Sequence, residues 1–319
     1  MNLLVKRNSI ILAISLMLCA AVPAWAGQDA PLGRYFFSGD GRITLDSEIN
    51  HESFSGVYRS GPGAYDREAL CRISKVFGTS CDPSRMGLSL RLLEFIDYLE
   101  DRFNRGALIT IISGYRSPEY NVSLRKEGAL AVKASMHLYG MAADLRIQDV
   151  QGETVWNYVK GLGFGGAGYY HGSAVHVDVG PARCWDETSS GVDTGISEGN
   201  KLIGIMTDYD IYRPGMTITL QFVRMTALPI RVASEFSLVR QSSQKEPEEP
   251  RVFMPAFSPA QAGNCAVFKN IDEMDNIEWV LPADLQPGRY RVLARFCNGA
   301  WPLMPRQVQT PEFEVTFFP

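Results

Sequence analysis

The stretch SMHLYGMAADLRI, Ser135 to Ile147, sets a histidine and an aspartate seven residues apart among small and apolar residues. Read as a strand, AADLRI alternates: Ala143, Leu145 and Ile147 form one apolar face, and Ala142, Asp144 and Arg146 lie opposite. His137 precedes this strand, on a loop that contains Gly140. Farther on, VHVDV (Val175 to Val179) alternates in the same way, with three valines on the core face and His176 and Asp178 on the other. Of only four histidines in the chain, His137, His171 and His176 fall in this region. Two strands therefore aim metal-competent side chains off one side of a sheet.

Two histidines and one carboxylate with an open fourth position form the donor set of a catalytic zinc site. Neutral imidazole and carboxylate both suit zinc, and a single negative ligand leaves the site net positive. Taken singly, each histidine reads as an ordinary loop or hydrogen-bonded core residue. The shared strand face is what sets His137, Asp144 and His176 apart.

Outward from this core, 319 residues are long for one domain and imply two folded units. Hydrophobic residues at 45% and charged residues at 21% describe globular protein rather than disorder. A net charge of -4 without any lysine- or arginine-rich run argues against nucleic acid as a partner. At the amino end, Lys6 and Arg7 precede an apolar run from Ile10 to Val22, followed by the small residues of AWA, Ala24 to Ala26. This is the pattern of a secretory signal cleaved near Ala26, too short in its apolar part for a membrane span, and no later segment replaces it. A periplasmic or otherwise exported location follows as an expectation. Export permits disulfides, with sequence neighbours Cys71 and Cys81, and Cys265 and Cys297, as first candidates and Cys184 left over. No CxxC pair offers a thiolate zinc site.

The expected fold class is α+β, followed by an all-β unit. Residues 27–66 read as an amino-terminal extension with a hairpin around Asp40-Gly41. Leu92, Phe95, Ile96, Leu99 and Phe103 recur at helical spacing within Met86–Asn104. ALITIIS (Ala107 to Ser113) reads as a buried strand, and SPEYNVSLRKEGALA opens a helix with a serine cap and an early proline. ETVWNYVKGLG is a further helix ended by Gly161 or Gly163. Residues 186–196 are polar and rich in Ser, Gly and Asp, a linker. From 197 to 319, short alternating segments such as MTITLQFVRM, IRVASEFSLVR, GRYRVLARF and EFEVTFF suggest an immunoglobulin-like β-sandwich, expected to fold separately.

The pieces SGYRSPEYN (Ser113 to Asn121), SMHLYGMAADLRI, GFGGAGYY (Gly163 to Tyr170) and VHVDVGPARCW (Val175 to Trp185) together resemble the zinc D-Ala-D-Ala metallopeptidases. These peptidases share a fold with the Hedgehog signalling domain, and the chain is most similar to their branch of exported murein endopeptidases. The likeness runs from about Arg67 to Trp185, so 67–185 is the expected peptidase domain. It implies His137, Asp144 and His176 as zinc ligands, with Arg116 facing the substrate and steadying a carboxylate or the developing oxyanion. Ser135 and Gly140 shape the ligand loop, and Tyr115 packs. Many relatives carry a glutamate or aspartate three residues before the last ligand, where this chain has Ser173. That departure leaves Asp178 and His171 as candidates for the general base, with ligand orientation as Asp178's other role.

The resemblance implies a zinc-dependent peptidase acting on peptidoglycan stem peptides, as a cross-link endopeptidase. A D,D- or L,D-carboxypeptidase on the same substrate is the near alternative, and a catalytically silent wall-binding module is the alternative from another class. A structural zinc would require a fourth protein ligand, for which His51 is the remaining histidine. The carboxy-terminal unit, without histidine or nucleophile motif, reads as a module for targeting or for an envelope partner.

Overall fold

The structure is a computed structural model that describes residues 33–81, 87–127, 133–189, 195–241, 249–257, 263–271, 273, 277–297 and 301–317. The signal segment, 1–26, lies outside the described residues, as does 190–194 of the expected linker. Among the described residues, no helix is long and apolar enough to cross a membrane.

The first sheet is built from β1 (Arg42–Ser47), β2 (Ser53–Val57), β3 (Leu108–Ser113), β4 (Ala142–Ile147), β5 (Gly166–Tyr169), β6 (Val175–Asp178) and β7 (Arg183–Asp186). Its order is β2-β1-β3-β4-β6-β5-β7, antiparallel except for the parallel pairs β1–β3 and β5–β7. Helices α1 (Arg67–Val76), α2 (Leu90–Asn104), α3 (Pro118–Lys126) and α4 (Gly152–Leu162) complete this half. The sequence accounts for their limits. Asp66 caps α1 by accepting from the amides of Glu68 and Ala69, and Ser117 caps α3 just before Pro118. Gly163 ends α4 in the left-handed conformation at φ 62°. Along α2, Leu92, Phe95, Ile96 and Leu99 are all fully buried, as their spacing requires.

The expected hairpin lies elsewhere. β1 pairs antiparallel with β2 through the turn that follows Ser47, not across Asp40-Gly41. The amides of Asp40 and Gly41 instead donate to Asp101 and Asp97 of α2, at 2.7 and 2.8 Å. Carboxylates from a helix have taken the donors that a turn would have offered to a partner strand.

The carboxy-terminal part is all β. It comprises β8 (Gly204–Thr207), β9 (Ile211–Tyr212), β10 (Thr217–Val223), β11 (Ile230–Gln241), β12 (Arg251–Phe253) and β13 (Ala256–Phe257). Then come β14 (Cys265–Phe268), β15 (Ile277–Val280), β16 (Gly288–Phe296), β17 (Gln307–Gln309) and β18 (Phe313–Val315). One sheet runs β13-β15-β10-β8 and the other β12-β11-β16-β18-β9, with β14 on β11 and β17 on β16. Rings from one sheet pack on rings of the other: Phe222 on Phe296, and Trp279 stacked on Phe253 with centroids 3.6 Å apart. Cys71–Cys81 and Cys265–Cys297 form the expected disulfides, and Cys184 is free and exposed.

The two parts meet through buried polar contacts. Arg91 of α2 pairs with Asp210 at 2.7 Å, each side chain only 4% exposed, and donates to Thr207 at 3.1 Å. The Phe36 amide also donates to Asp210, at 3.2 Å. The buried Tyr139 hydroxyl accepts from the Met225 amide at 2.9 Å.

Candidate metal centre

β4 and β6 pair antiparallel with Asp144 directly opposite His176. Alternation sends both off one face while Leu145, Val175 and Val177 enter the core. His137 stands on a 3-10 turn, Met136–Tyr139, which closes with Gly140 at φ 61°. A Cβ at Gly140 would lie 2.1 Å from the carbonyl oxygen of Gly87, so glycine alone permits this return into β4. Ser135 supports the turn from the other end, accepting from the His137 amide.

The three side chains converge. His176 Nδ1 lies 2.8 Å from Asp144 Oδ1 and 3.3 Å from His137 Nε2, and that nitrogen is 3.5 Å from Asp144 Oδ2. All three residues are buried. The outer nitrogens are already engaged: His137 Nδ1 donates to the Gly114 carbonyl at 2.6 Å, and His176 Nε2 to Asp178 Oδ2 at 2.9 Å. Since carbonyl and carboxylate only accept, these nitrogens carry the protons of the neutral rings. Two imidazole lone pairs and a carboxylate are then left facing one another.

Such an arrangement asks for positive charge at its centre. Burial pulls the His137 pKa down, even against the nearby Asp144 carboxylate. At His176 burial acts the same way, but the hydrogen bonds to Asp144 and Asp178 outweigh it and raise the pKa. Burial would raise Asp144, yet the two imidazoles hold it well below the usual carboxylate range. Either a proton on His176 or a cation balances the centre. The ligand atoms of His137, Asp144 and His176 all lie within 4.8 Å of one another, a donor set that fits a divalent metal. Among the described residues no fourth histidine, cysteine or carboxylate joins them, and His51 stands exposed between β1 and β2.

Asp178 is wholly buried behind His176. Besides His176, it accepts from the amides of Gly166 (3.1 Å) and Gly180 (2.9 Å) and from both terminal nitrogens of Arg183 (3.0 and 2.6 Å). Burial would raise its pKa, but Arg183 and His176 hold it far below the usual value. Room for this arrangement comes from the glycines of GFGGAGYY. A Cβ at Gly166 would fall 2.1 Å from Asp178 Oδ2, and one at Gly168 would fall 2.6 Å from Trp185. The Trp185 ring thereby reaches within 4.8 Å of the His176 ring.

Arg116 lies beside Asp144, donating to its Oδ2 at 2.8 Å and to Ser113 Oγ at 3.0 Å. His171 is not drawn into the centre. It is exposed, and its ring sits 4.8 Å from Tyr169, which stacks on Trp156 of α4, on the face of β5 opposite Gly166 and Gly168. Two contributors escaped the sequence reading. Tyr170 donates to Asp144 Oδ1 at 3.1 Å, and burial together with that carboxylate pushes its phenol well up, so it remains a donor. Its signal was the strand phase, two residues on from Gly168. Arg183 had only its place in VHVDVGPARCW and no local sign of its partner.

A buried two-imidazole, one-carboxylate centre on the face of a mostly antiparallel sheet is a donor set that metallohydrolases use, and the segment that builds it is similar to known hydrolases. Residues 41–185, a little under half of the chain, match the family model described as "Peptidoglycan L,D-endopeptidase MepK". The Escherichia coli (strain K12) protein named "Peptidoglycan L,D-endopeptidase MepK" is 28% identical over 164 residues, which are 51% of this chain and 86% of that protein. A Haemophilus influenzae protein, "Probable peptidoglycan L,D-endopeptidase MepK", is 42% identical over 82 residues, 25% of this chain and 44% of its own length.

Proposed function

We propose that the chain is an exported, zinc-dependent endopeptidase that cleaves cross-linked peptidoglycan stem peptides. The observation that carries the reading is the convergence of His137 Nε2, Asp144 and His176 Nδ1, while the outer ring nitrogens are engaged by Gly114 and Asp178. The relatives named as peptidoglycan L,D-endopeptidases support the substrate class.

His137, Asp144 and His176 would hold the zinc, which supplies a Lewis acid to polarise the scissile carbonyl and acidify the attacking water. The rest falls to this chain's own groups. The Gly114 carbonyl and Asp178 fix the two imidazole tautomers, and a ligand so oriented loses less freedom on binding. Arg116 and Tyr170 hold the two oxygens of Asp144, keeping it ionised and aimed. Asp178, with both oxygens occupied by donors, suits orientation of His176 better than accepting a proton from water. His171, on the other face of β5, would have to move to serve as base. The indole of Trp185 beside His176 excludes water from one flank of the centre. We further propose that the carboxy-terminal β unit serves an envelope partner or the substrate itself.

Digestion of purified muropeptides, with and without chelator, tests the function. Products identified by mass should be the two halves of a cross-linked dimer, formed only without chelator. Release of single terminal residues would replace the endopeptidase reading with a carboxypeptidase, and no cleavage at all would leave a binding module.

A further inference from the structure

Arg116, Arg146 and Arg183, all of the first sheet's half, each have an acidic partner: Asp144, Glu48 and Asp178. Arg224, just past the end of β10, does not. Among the described residues it forms no ion pair with an acidic side chain, and its Nε is buried without a hydrogen-bond partner. Its backbone sits at φ 62°, the left-handed region that a residue with a long side chain seldom adopts. The segment around it is held firmly. Met225 donates to Tyr139 on the turn that carries His137, and the amides of Thr226 and Ala227 both donate to the buried side chain of Asn200 at 2.8 and 3.0 Å. Thr226 Oγ1 donates in turn to the Ser197 carbonyl at 2.6 Å. A strained residue persists where its surroundings over-determine it, and such places cluster at functional sites.

Its neighbours identify the place. Arg224 lies within electrostatic reach of Arg183, Asp178 and Tyr139, the groups that back His176 and carry the His137 turn. Burial, with the like charge of Arg183 beside it, pulls the Arg224 guanidinium down to about 10, so it remains charged near neutrality. Arg183 itself is neutralised by Asp178 and lies 5.0 Å over the ring of Trp185, next to His176. A guanidinium with no ion-pair partner among the described residues therefore stands next to Met225, which is bonded to the turn that carries His137, and it comes from a part of the chain outside the 41–185 match. A half-buried guanidinium without a protein partner is a ready fork for a planar anion.

We infer that Arg224 is a substrate-recognition residue which the carboxy-terminal half contributes to the peptidase site, where it holds a carboxylate of the peptide being cleaved. The inference rests on the proposed peptidase reading and extends it. It gives the second half of the chain a direct share in specificity, and it explains why an unpaired arginine is kept in a strained backbone.

The test uses the full chain, wild type and the variants Arg224→Gln and Arg224→Lys. The probes are a murein stem tetrapeptide with free carboxylates and a set of twins, each amidated at one carboxylate. Binding is measured by calorimetry in the presence of chelator, and kcat and KM are measured separately with zinc on the cross-linked forms. Wild type should discriminate against one of the amidated twins. Arg224→Gln should weaken binding of the free peptide by about 10–100-fold, the worth of a charge-assisted hydrogen bond, and become indifferent to that amidation. The loss should fall on KM more than kcat, Arg224→Lys should restore part of it, and the Tm of Arg224→Gln should equal or exceed that of wild type. If Arg224→Gln binds every twin as wild type does, the inference is overturned while a cleaving wild type leaves the peptidase reading standing. A fall in Tm with equal loss on all twins makes Arg224 structural and likewise overturns it. If wild type neither binds nor cleaves any stem peptide, the reading falls and takes the inference with it.

Discussion

Among the described residues, two clusters bring acidic groups close enough to hold a metal: His137, Asp144 and His176, and Asp40, Asp97 and Asp101. They use their acids in opposite ways. At the second, donors point inward. Asp97 Oδ2 accepts from the Gly41 amide and the Tyr58 hydroxyl, Asp101 accepts from the Asp40 amide, and Arg105 closes on Asp40 at 2.7 Å. Asp97 is buried, and burial, helped by the nearby Asp101 and Asp40, raises its pKa to about 7 despite those hydrogen bonds. This cluster resolves its charge with backbone amides, one arginine and a proton. At the first, donors are drawn outward to Gly114 and Asp178, which leaves lone pairs converging inward. Proximity of carboxylates alone does not define a metal site; the direction in which the surrounding protons point does.

The largest effect expected from this contrast is on metal content. Purified protein should carry about one zinc per chain, and His176→Ala should lose both the zinc and the peptidase activity. Asp97→Asn should keep both. Full zinc retention in His176→Ala, measured by metal analysis, would reverse the assignment of the two clusters.

The next effect is on stability and concerns only the second cluster. Asp97 has its pKa raised in the fold, so the folded chain holds this proton more tightly than the unfolded chain does. Its contribution is fully present below the ordinary aspartate value near 3.8 and is lost as pH rises through about 7. Denaturant unfolding at pH 5 and pH 8 should show wild type losing stability over that interval, by at most about 3 kcal/mol, since about two pH units below the folded value lie within it. Asp97→Asn should lose much less over the same range. Parallel pH profiles for the two proteins would remove the proton from this cluster.

The smallest effect sharpens the description of the first cluster. Asp178→Asn weakens the hold on His176 Nε2, and an orienting partner of a metal ligand is worth about 10–100-fold in metal affinity. The drop should appear in zinc competition with a chelator, and activity should recover when zinc is raised. A variant that keeps full zinc affinity while its rate falls about 10²–10⁴-fold would instead make Asp178 the general base.

Much of the first cluster was legible because strand alternation is local. HVD and ADL each declare which residues share a face, whatever the strand pairs with. The second cluster was illegible. Asp97 and Asp101 recur on α2 as ordinary polar positions, and nothing near them announces that residues 39–41 will lie against them. Gly39 shows how close that approach is, since a Cβ there would come 2.2 Å from the Asp97 carboxyl carbon. The same reading misplaced the hairpin, because Asp40-Gly41 carries a turn signal that α2 overrides. The polar stretch at 186–196 marks a change of character along the chain but is silent about Arg91 and Asp210, which meet across 119 positions.

By itself, then, the sequence determined the faces of β4 and β6, the serine cap at Ser117 and a glycine end for α4, and it offered neighbouring cysteines as first candidates for the disulfides. Each of these depends on backbone periodicity or on residues close along the chain. Only the tertiary structure decided that Asp144 lies opposite His176, that Asp178 is gripped by Arg183, that Arg116 and Tyr170 hold Asp144, and that Arg224 Nε is buried without a hydrogen-bond partner among the described residues. Those facts turn on strand register and on contacts between segments far apart in the chain, where hydrogen-bond geometry within a few tenths of an ångström sets which group faces which.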